Sequence, residues 1–369
     1  MSHKSLIPKL HRYVGIFVGL LLAVLGLTGS ALVFHEEIDN FLYPQIAYVK
    51  PVGEAKSLQQ MKEIVEQQYP DRSIRYFYLK RKVDRPFHLV VSTTKGKKSS
   101  QVAQDIYINP YSGEILGVIP RNRSLMGIIN LIHTSFFAGE PGKFLVGTCG
   151  ILLLIRAISG LITFPGWRSL RAGFIIRWKS RFHLLQYDFH KVIGIVSVIF
   201  LILAGTTGGM MEFNQHVRSV GYTISGIPQP EKPVSIQQSN LQPLTLDRFL
   251  EEAQNALPEG QSTLIFPAKK STDPVLVRKR LEGDIHPNGR SFIYLNQYSG
   301  EVLRVQNIHY APWVEKLMMW MYPLHIGSYG GVTTRILYVF LGLTPVALFL
   351  TGLVIFWNKT YGAKKKRKL

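Results

Sequence analysis

Four histidines carry the chemistry this sequence offers, and they come in two matched pairs. His11 stands in Leu-His-Arg-Tyr-Val-Gly and His190 in Phe-His-Lys-Val-Ile-Gly. His133 stands in Leu-Ile-His-Thr-Ser and His325 in Pro-Leu-His-Ile-Gly-Ser. Each opens or precedes a long apolar run. Imidazole at a membrane boundary is costly unless it is partnered, and its neutral ring nitrogen is a metal ligand. Two imidazoles fill both axial positions of one haem iron, which then passes single electrons and does not readily bind oxygen. Two pairs suit two haems. Cys149 is the single cysteine and no Cys-x-x-Cys-His occurs, so covalent c-type attachment is excluded and b-type haem is expected.

The elements that must position these rings are apolar runs of about 20 residues, enough for a helix to cross a bilayer. They cover 14–34, 144–164, 192–213 and roughly 336–357. Lys4, Lys9 and Arg12 ahead of the first give it the look of a signal peptide. The run is too long for an h-region and no small-residue cleavage site closes it, so a retained span is expected.

The net charge of +20 raises nucleic-acid binding, but its distribution opposes that. Residues 36–142 carry 14 basic and 11 acidic side chains, net +3, and residues 217–331 carry 11 and 10, net +1. The excess sits beside the spans: Lys4, Lys9 and Arg12; Arg168, Arg171, Arg177, Lys179, Arg181 and Lys191; Lys359 and the tail Lys364-Lys365-Lys366-Arg367-Lys368. Under the positive-inside rule both termini and the loop between spans two and three are cytoplasmic, and both long segments are outside. The expected location is a bacterial inner membrane, with two periplasmic segments.

The chain reads as a tandem repeat. His11 superposes on His190, which brings Gly15 onto Gly194, Thr28-Gly29 onto Thr207-Gly208 and Phe34 onto Phe213. His133 superposes on His325, which brings Lys143 onto Arg335 and Ser159-Gly160-Leu161 onto Thr351-Gly352-Leu353. Between them, Asn109-Pro-Tyr-Ser-Gly-Glu matches Asn296-Gln-Tyr-Ser-Gly-Glu. Three matches in one order exceed chance. Each outside segment opens on an amphipathic helix. Ser57 and Gln60 form a capping-box pattern before Met61, Ile64 and Val65, and residues 245–257 are the counterpart. Strands are expected at 74–79, 87–92 and 102–108, and at 264–266, 275–280 and 291–295. Gly113 and Gly300 are expected to take positive φ in strand–turn–strand corners. Residues 228–233 and 237–243 read as a polar linker.

A small helix-plus-strands domain ending in Tyr-Ser-Gly-Glu, set between membrane helices with His-Arg/Lys-x-x-Gly and Thr-Gly, resembles the PepSY-associated transmembrane family over nearly the whole chain. The resemblance implies four transmembrane helices with two periplasmic α+β PepSY-like domains. It also implies a dihaem reductase of ferric siderophores. Some relatives carry a fused flavin and nicotinamide reductase module, which is not expected after the last span here. The divisions are then helix one at 1–35, domain one at 36–130, a surface helix plus helix two at 131–165, and a basic loop at 166–189. Helix three at 190–214, domain two at 215–320, a surface helix plus helix four at 321–358 and a basic tail at 359–369 complete the chain.

In that topology His11 and His190 share the inner face, and His133 and His325 the outer. Haem propionates need cations. Lys9, Arg12 and Lys191 are placed for the inner haem, Lys143 and Arg335 for the outer, and Arg156 within span two has a propionate, a backbone carbonyl or water as partner. Gly15, Gly29, Gly194 and Gly208 serve either a flat macrocycle or close helix packing. His183 is the reserve inner ligand. His35 and His216 form a second-ranked scheme that would separate His11 from His35 by about 36 Å along one helix. His88, His286 and His309 read as surface residues. Phe136, Phe137, Tyr310, Trp313, Trp320 and Tyr322 read as an interfacial aromatic belt or, less simply, a docking wall for a chelate. The expected partners are a ferric chelate and an electron donor, quinol or flavoprotein. The competing reading is a regulatory or scaffolding membrane protein whose outer domains bind a protein partner. It leaves the membrane histidines without a role.

Overall fold

Concentrating the apolar residues in four stretches makes long helices, and confining the alternating pattern to two segments makes one sheet. The computed structural model describes residues 3–79, 82–93, 103–236 and 242–362. Val102, linker residues 237–241 and the basic tail from 363 onward lie outside the described residues. In chain order the helices are α1 (His3–Leu32), α2 (His35–Leu42), α3 (Leu58–Gln68), α4 (Leu125–Ser135), α5 (Gly139–Ile162), α6 (Leu170–Phe174), α7 (Phe182–Glu212), α8 (Asn214–Ile224), α9 (Leu246–Ala256), α10 (Trp313–Ile326), α11 (Gly331–Gly342) and α12 (Thr344–Trp357). The strands are β1 (Arg72–Tyr78), β2 (Phe87–Thr93), β3 (Ala103–Ile108), β4 (Ile115–Pro120), β5 (Gln261–Phe266), β6 (Val275–Arg280), β7 (Ser291–Leu295) and β8 (Val302–Gln306). The chain forms two units: Met1–Phe34, Ile129–Val217 and Met321–Leu369 in one, His35–Ile128 and Arg218–Trp320 in the other.

The first unit is a four-helix ring in which α1 packs on α5 and α12, and α7 packs on α5 and α12. Four stretches are long and apolar enough to cross a membrane: Leu6–Leu32, Gly139–Trp167, Phe182–Glu212 and Ser328–Thr360. Phe17, Phe144, Ile199 and Phe340 on these helices are at least 67% exposed, which suits lipid and not water. The helices start earlier than the apolar runs. The less apolar residues before 14 and 192 continue the helical pattern, so His11 and His190 sit inside α1 and α7 and not ahead of them. The fourth span breaks at Leu343, because Pro345 has no N–H to continue the ladder. Where α5 meets α7, Gly150 lies against the backbone of Gly205 and Gly209, and a β-carbon there would come within 3.0 Å of both.

The short helices α4 and α10, which carry His133 and His325, are separate from the spans after them, as the glycine-rich breaks imply. Gly327 and Gly331 turn the second break with φ of 71° and 67°. The first is turned by Gly139 at 59° together with Phe136 at 45° and Phe137 at 62°, two residues that rarely adopt this region.

In the second unit each segment supplies one helix and four strands in the same order. All eight strands join one antiparallel sheet, β4-β3-β2-β1-β5-β6-β7-β8. The segments expected as two small domains therefore share a sheet. The seam is β1 with β5, where Phe77 pairs with Ile265 and Tyr78 with Leu264. Helices α3 and α9 cover one face, and Met61, Val65, Phe249 and Ala253 pack with Phe77, Leu89, Ile106, Ile265, Val277 and Ile293. The Ser57–Gln60 capping box forms as expected. The two helix starts also cap each other: the Asp247 carboxylate accepts from Leu58 N and Gln59 N, each at 2.9 Å, and Gln59 Oε1 accepts from Leu246 N. Gly113 and Gly300 take φ of 84° and 75° in matching corners, where Asn109 and Asn296 each accept from the backbone two residues on.

Candidate haem-binding site

The bundle brings the expected histidines together in the expected pairs. The His11 and His190 rings have centroids 6.2 Å apart at an interplanar angle of 88°. The His133 and His325 centroids are 6.1 Å apart at 50°. A metal bonded at about 2 Å to one nitrogen of each ring would fit centroids spaced about this far apart. Among the described residues no three of His, Cys, Asp and Glu converge as a metal cluster. Each pair thus offers two nitrogens, too few for a bare zinc ion and the number that a metal in a tetradentate macrocycle needs.

Each ring is held by one hydroxyl from another helix. His11 Nδ1 meets Ser159 Oγ at 2.9 Å, His133 Nδ1 meets Thr28 Oγ1 at 3.0 Å, His190 Nδ1 meets Thr351 Oγ1 at 2.9 Å, and His325 Nδ1 meets Thr207 Oγ1 at 2.9 Å. Thr28, Thr207 and Thr351 donate their only O–H to the carbonyl four residues back, at 2.7 Å each, and Ser159 donates to Arg156 O at 3.0 Å. With the hydroxyls donating to those carbonyls, their oxygens are free to accept from Nδ1–H, which leaves Nε2 with a bare lone pair. This is the tautomer in which Nε2 can ligate a metal.

The residue after each hydroxyl is glycine, and it makes room for the ring. A β-carbon at Gly29 would lie 2.9 Å from His133 Cε1, at Gly208 3.1 Å from His325 Cε1, at Gly160 3.1 Å from His11 Cε1, and at Gly352 3.4 Å from His190 Cε1. The Thr-Gly and Ser-Gly dipeptides marked the repeat in the sequence, where Gly29 and Gly208 were expected to face a macrocycle or a helix. They cradle the histidines.

Around the His11–His190 pair lies a cavity of about 320 Å³, within the range of ligand pockets at roughly 300–1,000 Å³. Its wall is largely apolar, with Leu22, Leu153, Ile195, Leu348 and Phe349, and it includes Gly15, Gly194 and Gly352. Its cations are Arg12, Arg156, Lys191 and Lys359. Arg156 reaches from α5 to donate to the His11 carbonyl and lies against Gly15, where any β-carbon would collide with its guanidinium. Lys191 is tied to Asp188 at 2.9 Å and to the Ala172 carbonyl at 2.8 Å.

Lys9 is not among the residues lining this cavity, and Lys143 and Arg335 have local partners. Lys143 pairs with Glu140 at 2.7 Å on an exposed surface. Arg335 donates to Val33 O at 2.6 Å and stacks over the Phe34 ring at 4.3 Å. His183 is not among the residues lining the His11–His190 cavity, His35 belongs to the sheet unit, and His216 packs edge-on against Phe213. Of the histidines expected at the surface, His286 is buried against Arg278. His88 is stacked between Tyr78 and Tyr107 and bonded to Asp105.

A model of the family described as the PepSY-associated TM region matches residues 9–359. A Pseudomonas aeruginosa protein, the uncharacterized protein PA4219, is 36% identical over 86 residues, 22% of this chain. The match spans 20% of that relative's own length.

Proposed function

Because the chain belongs to the PepSY-associated transmembrane family, we propose that it is a dihaem b-type oxidoreductase of a bacterial inner membrane. It passes electrons from a quinol or flavoprotein donor to a periplasmic ferric siderophore or similar ferric chelate and releases Fe(II). The termini are cytoplasmic, the sheet unit is periplasmic, and the chain arose by tandem duplication. The observation that carries the reading is the hydroxyl-to-Nδ1 contact at four histidines out of four. A structural histidine needs no uniform tautomer, whereas an axial ligand does.

The residues present fit the cofactor. His11 and His190 would hold one haem, and His133 and His325 the other. Haem held by these histidines would supply one-electron chemistry. The chain's own side chains do the rest. Ser159, Thr28, Thr351 and Thr207 orient the rings. Arg156 and Arg12, which line the His11–His190 cavity, would offset the negative charge of propionates there. The apolar wall excludes water. His11 and Thr28 lie 17 residues apart on α1, and His190 and Thr207 lie 17 apart on α7, so the two sites are separated by about 26 Å of helix rise, close to the hydrocarbon thickness of about 30 Å. The acceptor needs no acid–base group from the protein: one electron turns Fe(III) into Fe(II), which hard oxygen donors hold less tightly.

The test is the absorption spectrum of the purified full-length protein. A Soret band with sharp α and β bands after dithionite, at about two haems per chain, supports the reading. His133→Ala and His325→Ala should each remove the same haem and spare the other. A colourless protein from haem-replete cells sinks the proposal and leaves partner binding by the sheet unit as the reading to pursue.

A further inference from the structure

The sheet has a second face, turned away from α3 and α9, and its centre is built unlike an ordinary wetted face. Phe77, Ile265, Val277 and Ile293 point into the core. Their neighbours Tyr76, Phe266, Leu276 and Tyr294 point the other way from four adjacent strands, β1, β5, β6 and β7. They form one row: Phe266 pairs with Leu276, Leu276 pairs with Tyr294, and the Tyr76 and Phe266 rings lie 5.3 Å apart. This row floors a cavity of about 330 Å³ that also takes in Arg75, Lys232, Lys269 and Asp273. Three cations therefore meet one carboxylate, and that carboxylate is bonded to Lys232 at 3.0 Å. Burial, the nearby Arg75 and Lys232 lower the Lys269 ammonium from its ordinary range, and Asp273 partly opposes them.

We propose that this cavity is a binding site for an anionic aryl chelate, one catecholate-type arm of which lies on Tyr76, Phe266, Leu276 and Tyr294 with its oxygens toward Arg75 and Lys269. The complementarity is two-part. An aryl body is apolar and stacks on aromatic rings, while the net negative charge of the chelate suits the Arg75 guanidinium and the Lys269 ammonium at the same cavity. The volume suits one arm, so the rest of the chelate stays in solvent. The inference rests on the reductase reading only in naming the chelated ion as iron. The recognition itself depends on the aryl anion.

Isothermal titration calorimetry of the full-length protein with a Ga(III) tris-catecholate tests the site. Ga(III) does not take up the electron, so binding is read whether or not the protein holds haem, and the absorption spectrum of the same preparation reports on the haems separately. Binding that weakens at least tenfold in Arg75→Ala/Lys269→Ala, tightens in Asp273→Asn and weakens as salt rises supports the proposal. Arg75 and Lys269 are exposed, and Asn at 273 keeps an oxygen for the Lys270 N–H that Asp273 now accepts from. Equal binding of an uncharged Ga(III) tris-hydroxamate overturns the choice of ligand class. No binding of the catecholate, or binding untouched by all three substitutions, overturns the site.

Discussion

Replacing Thr207 with valine removes a hydroxyl and almost nothing else. Thr207 is 1% exposed, and valine keeps its shape. The loss is the oxygen 2.9 Å from His325 Nδ1. A buried N–H left without an acceptor costs about 1–3 kcal/mol, and loss of such an outer partner typically weakens a metal site about 10–100-fold. Haem should therefore leave one site of Thr207→Val on dilution or washing in detergent, while the other stays full. Where it is retained, the ring is a poorer electron donor without its acceptor, so the oxidised iron is less stabilised. One kcal/mol of that difference raises a one-electron midpoint by about 40 mV. The assay is pyridine haemochrome content together with a redox titration that resolves two waves. Thr207→Ser should restore content and potential, and Thr28→Val should act on the same wave, through His133. If Thr207→Val keeps two haems with both midpoints unmoved, the pins are ordinary helix hydroxyls and the tautomer argument fails.

The glycine cradles predict a graded series. Gly29→Ala, with its β-carbon 2.9 Å from His133, and Gly208→Ala, at 3.1 Å from His325, should deplete the outer haem, in that order of severity, while Gly352→Ala, at 3.4 Å from His190, should be tolerated in a haem-content assay. In the sheet unit, burial alone would raise the Asp105 carboxyl, but hydrogen bonds from Arg121 and His88, all at 2.7 Å, overrule it and hold it at about 2. A carboxyl held low in the fold stabilises above its unfolded value near 4 and loses that contribution as pH falls toward 2, about 2 kcal/mol in all. Thermal melts of wild type should drop through that window, and those of Asp105→Asn should drop less.

The pairing of the histidines was legible because they stand in matching sequence motifs, and the positive-φ glycines of the corners were legible because a turn motif is local. The pins were not. Thr28 and His133 are 105 residues apart, and His190 and Thr351 are 161 apart, so no periodicity connects them. The dipeptides were in view, but only three dimensions give them a partner. The shared sheet escaped for the same reason. Nothing in residues 72–78 or 261–266 distinguishes an edge strand from one half of a seam. Equivalence in the repeat also misled where the surroundings differ. Lys143 finds Glu140 one turn away, whereas Arg335 finds the Val33 carbonyl just past the end of α1. Phe136 and Phe137 do at one break the work that glycines do at the other, and no pattern of residue types announces a phenylalanine with positive φ.

The pins join residues within one half of the chain, α1 with α5 and α4 with α1, then α7 with α12 and α10 with α7, whereas each histidine pair joins the two halves. Helix α1 therefore carries a ligand for one site and a pin for the other, and so does α7. Their phase is fixed by 17 residues of continuous helix. One alanine inserted in α1 after Leu21, between His11 and Thr28, rotates the outer half of the helix by about 100° and advances it by about 1.5 Å relative to the inner half. The bundle can keep α1 seated by its first half or its second, not by both. If the inner end stays in place, Thr28 swings away from His133; if the outer end stays, His11 swings away from His190. No more than one haem should keep its native midpoint, and the other should be lost or shifted. A single alanine inserted after Arg168, outside the long helices, should leave both. An α1 insertion that preserves two native redox waves would mean that the two sites are not registered by this helix, and the geometry argued from His11 and Thr28 would fall with it.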